Sequence, residues 1–194
     1  MIDSEQPYRY YSFMPAAEKI KRCTYADYLT WPDEERWELI DGTPYNMSPA
    51  PSFRHQRVAG LFFHVLEGKL KGRSCTAGIA PTDVVLSDFD VVQPDVFVVC
   101  DKKKITDANI QGAPDLVIEV LSPTTTVKDR REKKALYEKY GVVEYIIADP
   151  VGNAVERFLL KNGKYNAPEV FGPQDTLLTH LPDNVAIPLN EIFA

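Results

Sequence analysis

One position constrains this chain more than any other. Leu116-Val117-Ile118-Glu119-Val120-Leu121 is an apolar run with a single carboxylate inside it. Its length and β-branched content predict a strand from Leu116 to Ser122, and a run without polar alternation belongs at the centre of a sheet covered on both faces. A lone ionised carboxylate there is costly, so Glu119 has to be neutralised, paired or bound to a cation. Asp95 poses the same problem within Val91 to Cys100, which reads as another strand of core residues. If the two strands are neighbours, as their order along the chain suggests, alternate side chains share a face and the two acids converge. Converging carboxylates suit a hard cation such as Mg²⁺, which takes oxygen ligands and keeps several waters. The ordinary alternative pairs each acid with an Arg or Lys at a strand end; for two acids on adjacent apolar strands the metal reading is preferred.

The rest of the pattern supplies a frame for these strands. Residues 1–23, rich in tyrosine and without a clear period, read as an N-terminal arm, and 24–194 as one α/β domain. Thr24 and Asp27 make a capping-box start to a short helix. Two strands, Trp37 to Ile40 and Thr43 to Met47, turn at Asp41-Gly42, a hairpin signal. Val58, Leu61, Phe62, Val65 and Leu66 recur at helical spacing between Phe53 and Lys71, with Gly72 placed to end the helix. Arg73 to Ile79 and Thr82 to Leu86 are further strand candidates. After Glu119, Thr126 with Asp129 opens a helix to about Tyr140, then Val143 to Ala148 is a strand. A C-terminal hairpin, Val155 to Leu160 and Lys164 to Phe171, turns at Asn162-Gly163.

Composition narrows the function. Cys23, Cys75 and Cys100 are scattered without metal-ligand spacing and are expected to be idle or buried thiols. His55, His64 and His180 show no zinc pattern. No segment resembles a secretory signal or a membrane span, so a cytoplasmic location is expected. The formal net charge of −6 argues against a general nucleic-acid coat protein, but Lys128, Arg130, Arg131 and Lys134 form a local basic cluster able to contact phosphates. Asp129, Lys133 and Tyr137 fall at i, i+4 and i+8, one stripe of the helix that follows Glu119. A lysine aimed at the acid pair would orient a water or offset charge on a phosphoryl oxygen. Taken alone, Asp129 and Lys133 would be only a helix-surface ion pair worth ~0.2–0.5 kcal/mol.

Gln93-Pro94-Asp95-Val96, then Pro114-Asp115-Leu116-Val117-Ile118-Glu119-Val120-Leu121-Ser122-Pro123, then Asp129 and Lys133 to Tyr137, then Val143 to Pro150, resemble the Uma-type restriction endonuclease family of the PD-(D/E)XK nuclease superfamily. The resemblance extends upstream through Trp37 to Gly42, Met47-Ser48-Pro49 and His55-Gln56. It implies a restriction-endonuclease-like αβββαβ core, a mixed sheet flanked by helices. It also implies Mg²⁺, replaceable by Mn²⁺, on Asp95 and Glu119 with the Val120 carbonyl as a further ligand. One departure is plain: the superfamily's E-x-K pattern would put the lysine where Leu121 stands, so Lys133 on the next helix is assigned its role, with Lys134 as the alternative. Asp115 is expected to be solvated, while Glu38 and His55 are candidate auxiliary groups beside Asp129 and Tyr137.

The function that follows is Mg²⁺-dependent hydrolysis of DNA by a homodimer or higher oligomer, self-association being suggested by the arm and by an exposed-looking terminal hairpin. Two alternatives stay open. One is an inactive nuclease-fold module that binds nucleic acid or protein, and the other a hydrolase of smaller phosphate esters.

Overall fold

The computed structural model describes residues 22–32, 34–47, 50–123, 125–182 and 184–194, so the expected arm lies outside the described residues except for its last two positions. Thr24 opens α1 (Tyr25–Tyr28) with the capping box read from sequence: its hydroxyl accepts from Asp27 N and the Asp27 carboxylate accepts from Thr24 N. β1 (Trp37–Ile40) and β2 (Thr43–Asn46) form the first hairpin. Its corner holds Asp41 and Gly42 at φ 50° and 73°, the left-handed pair that a two-residue turn requires. Ser52 caps α2 (Phe53–Leu70), whose buried stripe includes Val58, Phe62 and Leu66. Next come β3 (Thr76–Ile79), β4 (Val84–Ser87), β5 (Asp90–Val92), β6 (Val96–Val99), β7 (Ile110–Gln111) and β8 (Leu116–Val120). A helix over 126–140, α3, contains a π-helical stretch at Asp129–Lys133 and ends at Gly141, whose φ of 80° stops it. The chain closes with β9 (Glu144–Asp149), β10 (Ala154–Lys161), β11 (Lys164–Tyr165), β12 (Glu169–Phe171), β13 (Thr176–Leu178), β14 (Ala186–Pro188) and α4 (Leu189–Ile192).

These strands make a seven-stranded mixed sheet, ordered β11-β10-β9-β8-β6-β3 with β12 also on β10, and a five-stranded sheet ordered β2-β1-β5-β4-β7. The αβββαβ core runs through α2, β3, β6, β8, α3 and β9, and the five-stranded sheet is built from segments before and between its members. β8 pairs antiparallel with β6 and parallel with β9, and all five of its residues are buried. One face of the large sheet packs Val96, Val98, Leu116, Ile118 and Ile146 on α2 and the C-terminal elements. The other packs Phe97, Val99, Val117, Leu121 and Ile147 against Leu136 and Tyr137 of α3 and against Ile40, Val84 and Val92 of the small sheet. Among the described residues, no helix is long and apolar enough to cross a membrane.

Four expectations are corrected. Val91 to Cys100 is not one strand: β5 belongs to the small sheet and β6 to the large one, and the chain crosses between them at Gln93-Pro94-Asp95. Pro94 has no N–H to give a ladder, so the break falls where pairing is weakest. Asp95 accordingly sits at the foot of β6 rather than within a strand. Cys75 and Cys100 are bonded to each other as a disulfide just past the Thr76–Val99 pair, while Cys23 is free; strand pairing brings together cysteines 25 positions apart. Thr126 does not open α3 by capping it with Asp129: the N-cap is Thr125, without a side-chain cap bond, and Thr126 Oγ1 donates back to the Ser122 carbonyl. Finally, the terminal hairpin does not stand free. β10 pairs along β9, and Val155, Phe158 and Leu159 are buried in the chain's own sheet.

Candidate active site

The geometry starts from strand register. Val96 lies opposite Ile118 in the antiparallel β6–β8 pair, so one step further sets Asp95 opposite Glu119. Opposed residues share a face, and parity puts both acids on the side of Phe97, Val117 and Leu121, the face covered by α3 and the small sheet. Asp95 Oδ2 accepts from Val120 N at 2.8 Å, which ties the foot of β6 to β8 beside Glu119. Both acids line a cleft of about 980 Å³ bounded by the β2 end, the start of α2 and the start of α3.

α3 brings the cations. Lys133 Nζ donates to Glu119 Oε1 at 2.8 Å, and the Tyr137 hydroxyl donates to the same oxygen at 2.7 Å. Lys133 Nζ also lies 2.7 Å from Glu38 Oε1. The π-helical turn over Asp129–Lys133 widens the helix just before these residues, a distortion frequent at functional sites. Asp129 and Lys133 are both buried, each about 2% exposed, so the surface ion pair considered from sequence does not form. The Asp129 backbone carbonyl instead accepts from the Tyr145 hydroxyl at 3.0 Å.

Glu38 is the pin that joins these pieces. Wholly buried on the inward face of β1, it accepts from Gln93 N at 3.1 Å and from Lys128 Nζ at 2.8 Å, besides pairing with Lys133. One carboxylate therefore links the small sheet, the Gln93-Pro94-Asp95 crossing and α3. His55, at the third position of α2, approaches Asp95 Oδ2 with Nε2 at 3.2 Å, while its buried Nδ1 has no partner among the described residues.

Charge in this cluster is out of balance. Burial drives Glu119 up to about 8; Lys133 opposes this, and Asp95, Asp129 and Glu38 add to it. Burial likewise raises Asp129 despite Lys133. At Glu38 burial is outweighed by Lys133 and Lys128, so it is held below the usual carboxylate range. Burial would discharge Lys133, yet Glu119, Glu38 and Asp129 hold its ammonium well above the ordinary value. His55 is raised, since Asp95 and the Val120 backbone outweigh its burial. The cluster thus keeps its lysine charged and still carries more carboxylate than its cations neutralise. A bound cation would relieve that excess.

The donor set fits a hard ion. Asp95, Glu119 and the Val120 carbonyl would offer oxygen donors alone, and Mg²⁺ completes its shell with water when only one or two carboxylates are offered. Among the described residues, no group of three or more His, Cys, Asp or Glu is arranged to hold a metal.

The remaining sequence candidates divide. Lys128 lines the cleft over the Tyr45 ring. Arg130 pairs with Glu156 at 2.6 Å on the surface, and Lys134 lies over the Phe158 ring at 4.1 Å, so neither joins the cleft. Arg131 is exposed and outside the cleft lining. Asp115 accepts from Cys100 N at 2.7 Å, a strand-end contact rather than a solvated acid. Sequence reasoning missed Arg36 and Gln93. Both Arg36 nitrogens Nε and Nη2 donate to Gln93 Oε1, and Gln93 Nε2 donates to Asp83 at 2.9 Å. A glutamine between Val92 and Pro94 was the available signal.

A family model described as "Uma2: Putative restriction endonuclease" matches residues 25–190. A curated relative from Synechocystis sp., "Uncharacterized protein slr1290", is 31% identical over 114 residues, a stretch that covers 57% of this chain and only 60% of that relative. The crystal structure of "a putative nuclease belonging to DUF820" from Anabaena variabilis aligns with a TM-score of 0.71 at 21% identity, covering 88% of this chain and 97% of that one. The structural likeness carries the fold.

Proposed function

Because the chain belongs to the Uma2 family, within the PD-(D/E)XK nuclease superfamily, we propose that it hydrolyses phosphodiester bonds in DNA at a divalent metal held by Asp95, Glu119 and the Val120 carbonyl. The observation that carries this reading is the convergence of Asp95, Glu119 and Lys133 on one cleft, where burial, with smaller additions from Asp95, Asp129 and Glu38, raises Glu119 to about 8. Mg²⁺, when bound, lowers the pKa of its water and polarises the phosphate.

The chain's own residues do the rest. Asp95 is oriented by Val120 N and His55. Lys133 presents a charged ammonium beside Glu119, where it orients the attacking water and offsets charge on the phosphoryl oxygens. Glu38 fixes Lys133 and Lys128 from the other side, and Tyr137 fixes the Glu119 carboxylate. Leu121, where the superfamily lysine would stand, is buried among Leu136, Tyr137 and other apolar residues. Leucine supplies no cation there, although it borders the cleft, which supports delivery of the cation from α3. The test is Mg²⁺-dependent nicking of supercoiled plasmid by the wild type beside Glu119→Gln. Nicking by the wild type and none by the variant is expected; equal activity overturns the assignment.

One observation favours an inert nuclease-fold module: Lys133 is already paired with two carboxylates. Titration with Mn²⁺ separates the readings, because the module needs no stoichiometric binding that depends on Asp95 and Glu119.

A further inference from the structure

The mouth of the cleft does not look like a duplex-binding surface. Its lining carries four cations against four carboxylates, in a chain of net charge −6. Two of the cations, Lys128 and Lys133, are paired with Glu38 and Glu119. That leaves Arg36 and Arg54, whose partners Gln93 and Asn153 are neutral, to meet phosphates. The basic residues Arg130 and Lys134 point elsewhere. A duplex site ordinarily gathers affinity from many phosphate contacts, each adding to its salt dependence.

What the mouth offers instead is exposed apolar surface. Val127 and Val151 line the cleft and are 60% and 83% exposed. Phe53, 83% exposed, opens α2 just outside the lining, between the cleft residues Ser52 and Arg54. A phenylalanine left in water at the first turn of a helix adds nothing to the core. Beside a phosphodiesterase centre its flat face suits a nucleobase, and such a face is available only where bases are unpaired.

We infer that the cleft takes single-stranded DNA, with Phe53 stacking a base at its mouth, Val127 and Val151 flanking that base, and Arg36 and Arg54 meeting the backbone. This rests on the phosphodiesterase reading of the site and names its substrate class. The two arginines, whose hydrogen-bond partners are neutral, set a shallow salt dependence, a slope of about −1.4 in log affinity against log salt, at ~0.7 per phosphate contact.

The experiment is fluorescence anisotropy with the full chain in EDTA, using one labelled oligonucleotide single-stranded and then annealed to its complement. The single strand is expected to bind more tightly. Phe53→Ala is expected to weaken it about fivefold to hundredfold, and Phe53→Trp to keep it; both changes are on the surface and leave the core intact. Equal or tighter binding of the duplex, or an unchanged affinity in Phe53→Ala, overturns the inference. Sedimentation of the same proteins covers the rival occupant: a dimer dissolved by Phe53→Ala with oligonucleotide binding unaltered assigns the face to a second copy and likewise overturns it. A parallel assay of cleavage of the same labelled single strand in Mg²⁺ keeps the two claims apart. Phe53-dependent binding without cleavage sinks the nuclease reading alone, and cleavage with no Phe53 effect sinks only this one.

Discussion

Glu119 on β8 and Glu144 on β9 are buried carboxylates on adjacent parallel strands, each within an apolar run, yet their surroundings differ in kind. Glu119 faces α3 and the small sheet, borders a cleft, and meets Lys133 and Tyr137 on one oxygen. Glu144 pairs in register with Leu116, at the other end of the strands, and is closed over by the C-terminal segment. It accepts from His180 N at 2.7 Å and lies 3.7 Å from Arg157, with Oε1 otherwise unpartnered among the described residues. Arg157 is itself engaged by Glu169 and by the Leu178 carbonyl. A buried acid marks a place where the fold needs compensation, and only the elements that converge on it distinguish a reactive centre from a structural clamp.

The largest expected effect lies at Lys133. Replacing it with methionine leaves Glu38 and Glu119 without their shared cation, and removing one partner of a buried ion pair costs about 3–5 kcal/mol. Urea unfolding reads that loss, and nicking is expected to vanish with it. Arg157→Met should cost less, about 1–3 kcal/mol, because Glu169 is half-exposed and Glu144 keeps its bond from His180. If the Arg157 variant proved the more damaged, the contrast between the two clusters would fail.

A pH experiment sharpens the contrast further. Burial pushes Glu144 up to about 7, only partly countered by His180 N and Arg157. A carboxyl whose folded pKa stands above its unfolded value gives stability that is full below ~4.3 and is lost as pH rises through the folded value. The wild type should therefore lose stability across that window relative to Glu144→Gln, by up to about 4 kcal/mol at pH 8. Stability curves of the two proteins that run parallel from pH 4 to 8 would remove this account of Glu144. The smallest effect is expected at Arg130→Ala, since its pair with Glu156 is solvent-exposed and worth under about 1 kcal/mol. A cost much above that would mean that α3 is held from its outer side as well.

Much of this was legible in residues 93–150. Glu119 in an apolar run indicated a compensated acid, and helical spacing placed Lys133 and Tyr137 on one stripe. Hairpin chemistry located the turns at Asp41-Gly42 and Asn162-Gly163, both of which adopt positive φ. The same reasoning passed over Glu144, whose setting in Val143 to Ala148 has the same signature, because local sequence does not report which elements will cover a strand end. The crossing at Pro94 was hidden by the β-branched residues on either side, which suit two strands as well as one. Glu38 depended on contacts 55 and 90 positions away, and no local pattern encodes those. The Cys75–Cys100 bond followed from strand pairing rather than spacing.

The claim on which the rest depends is that the surplus charge between β6 and β8 is there for a divalent ion. Anomalous scattering from a crystal soaked in Mn²⁺ tests it directly. The account predicts one strong peak within bonding distance of the Asp95 and Glu119 carboxylates and the Val120 carbonyl, abolished in Glu119→Gln. A map with no peak there, or one that survives the substitution, would contradict it.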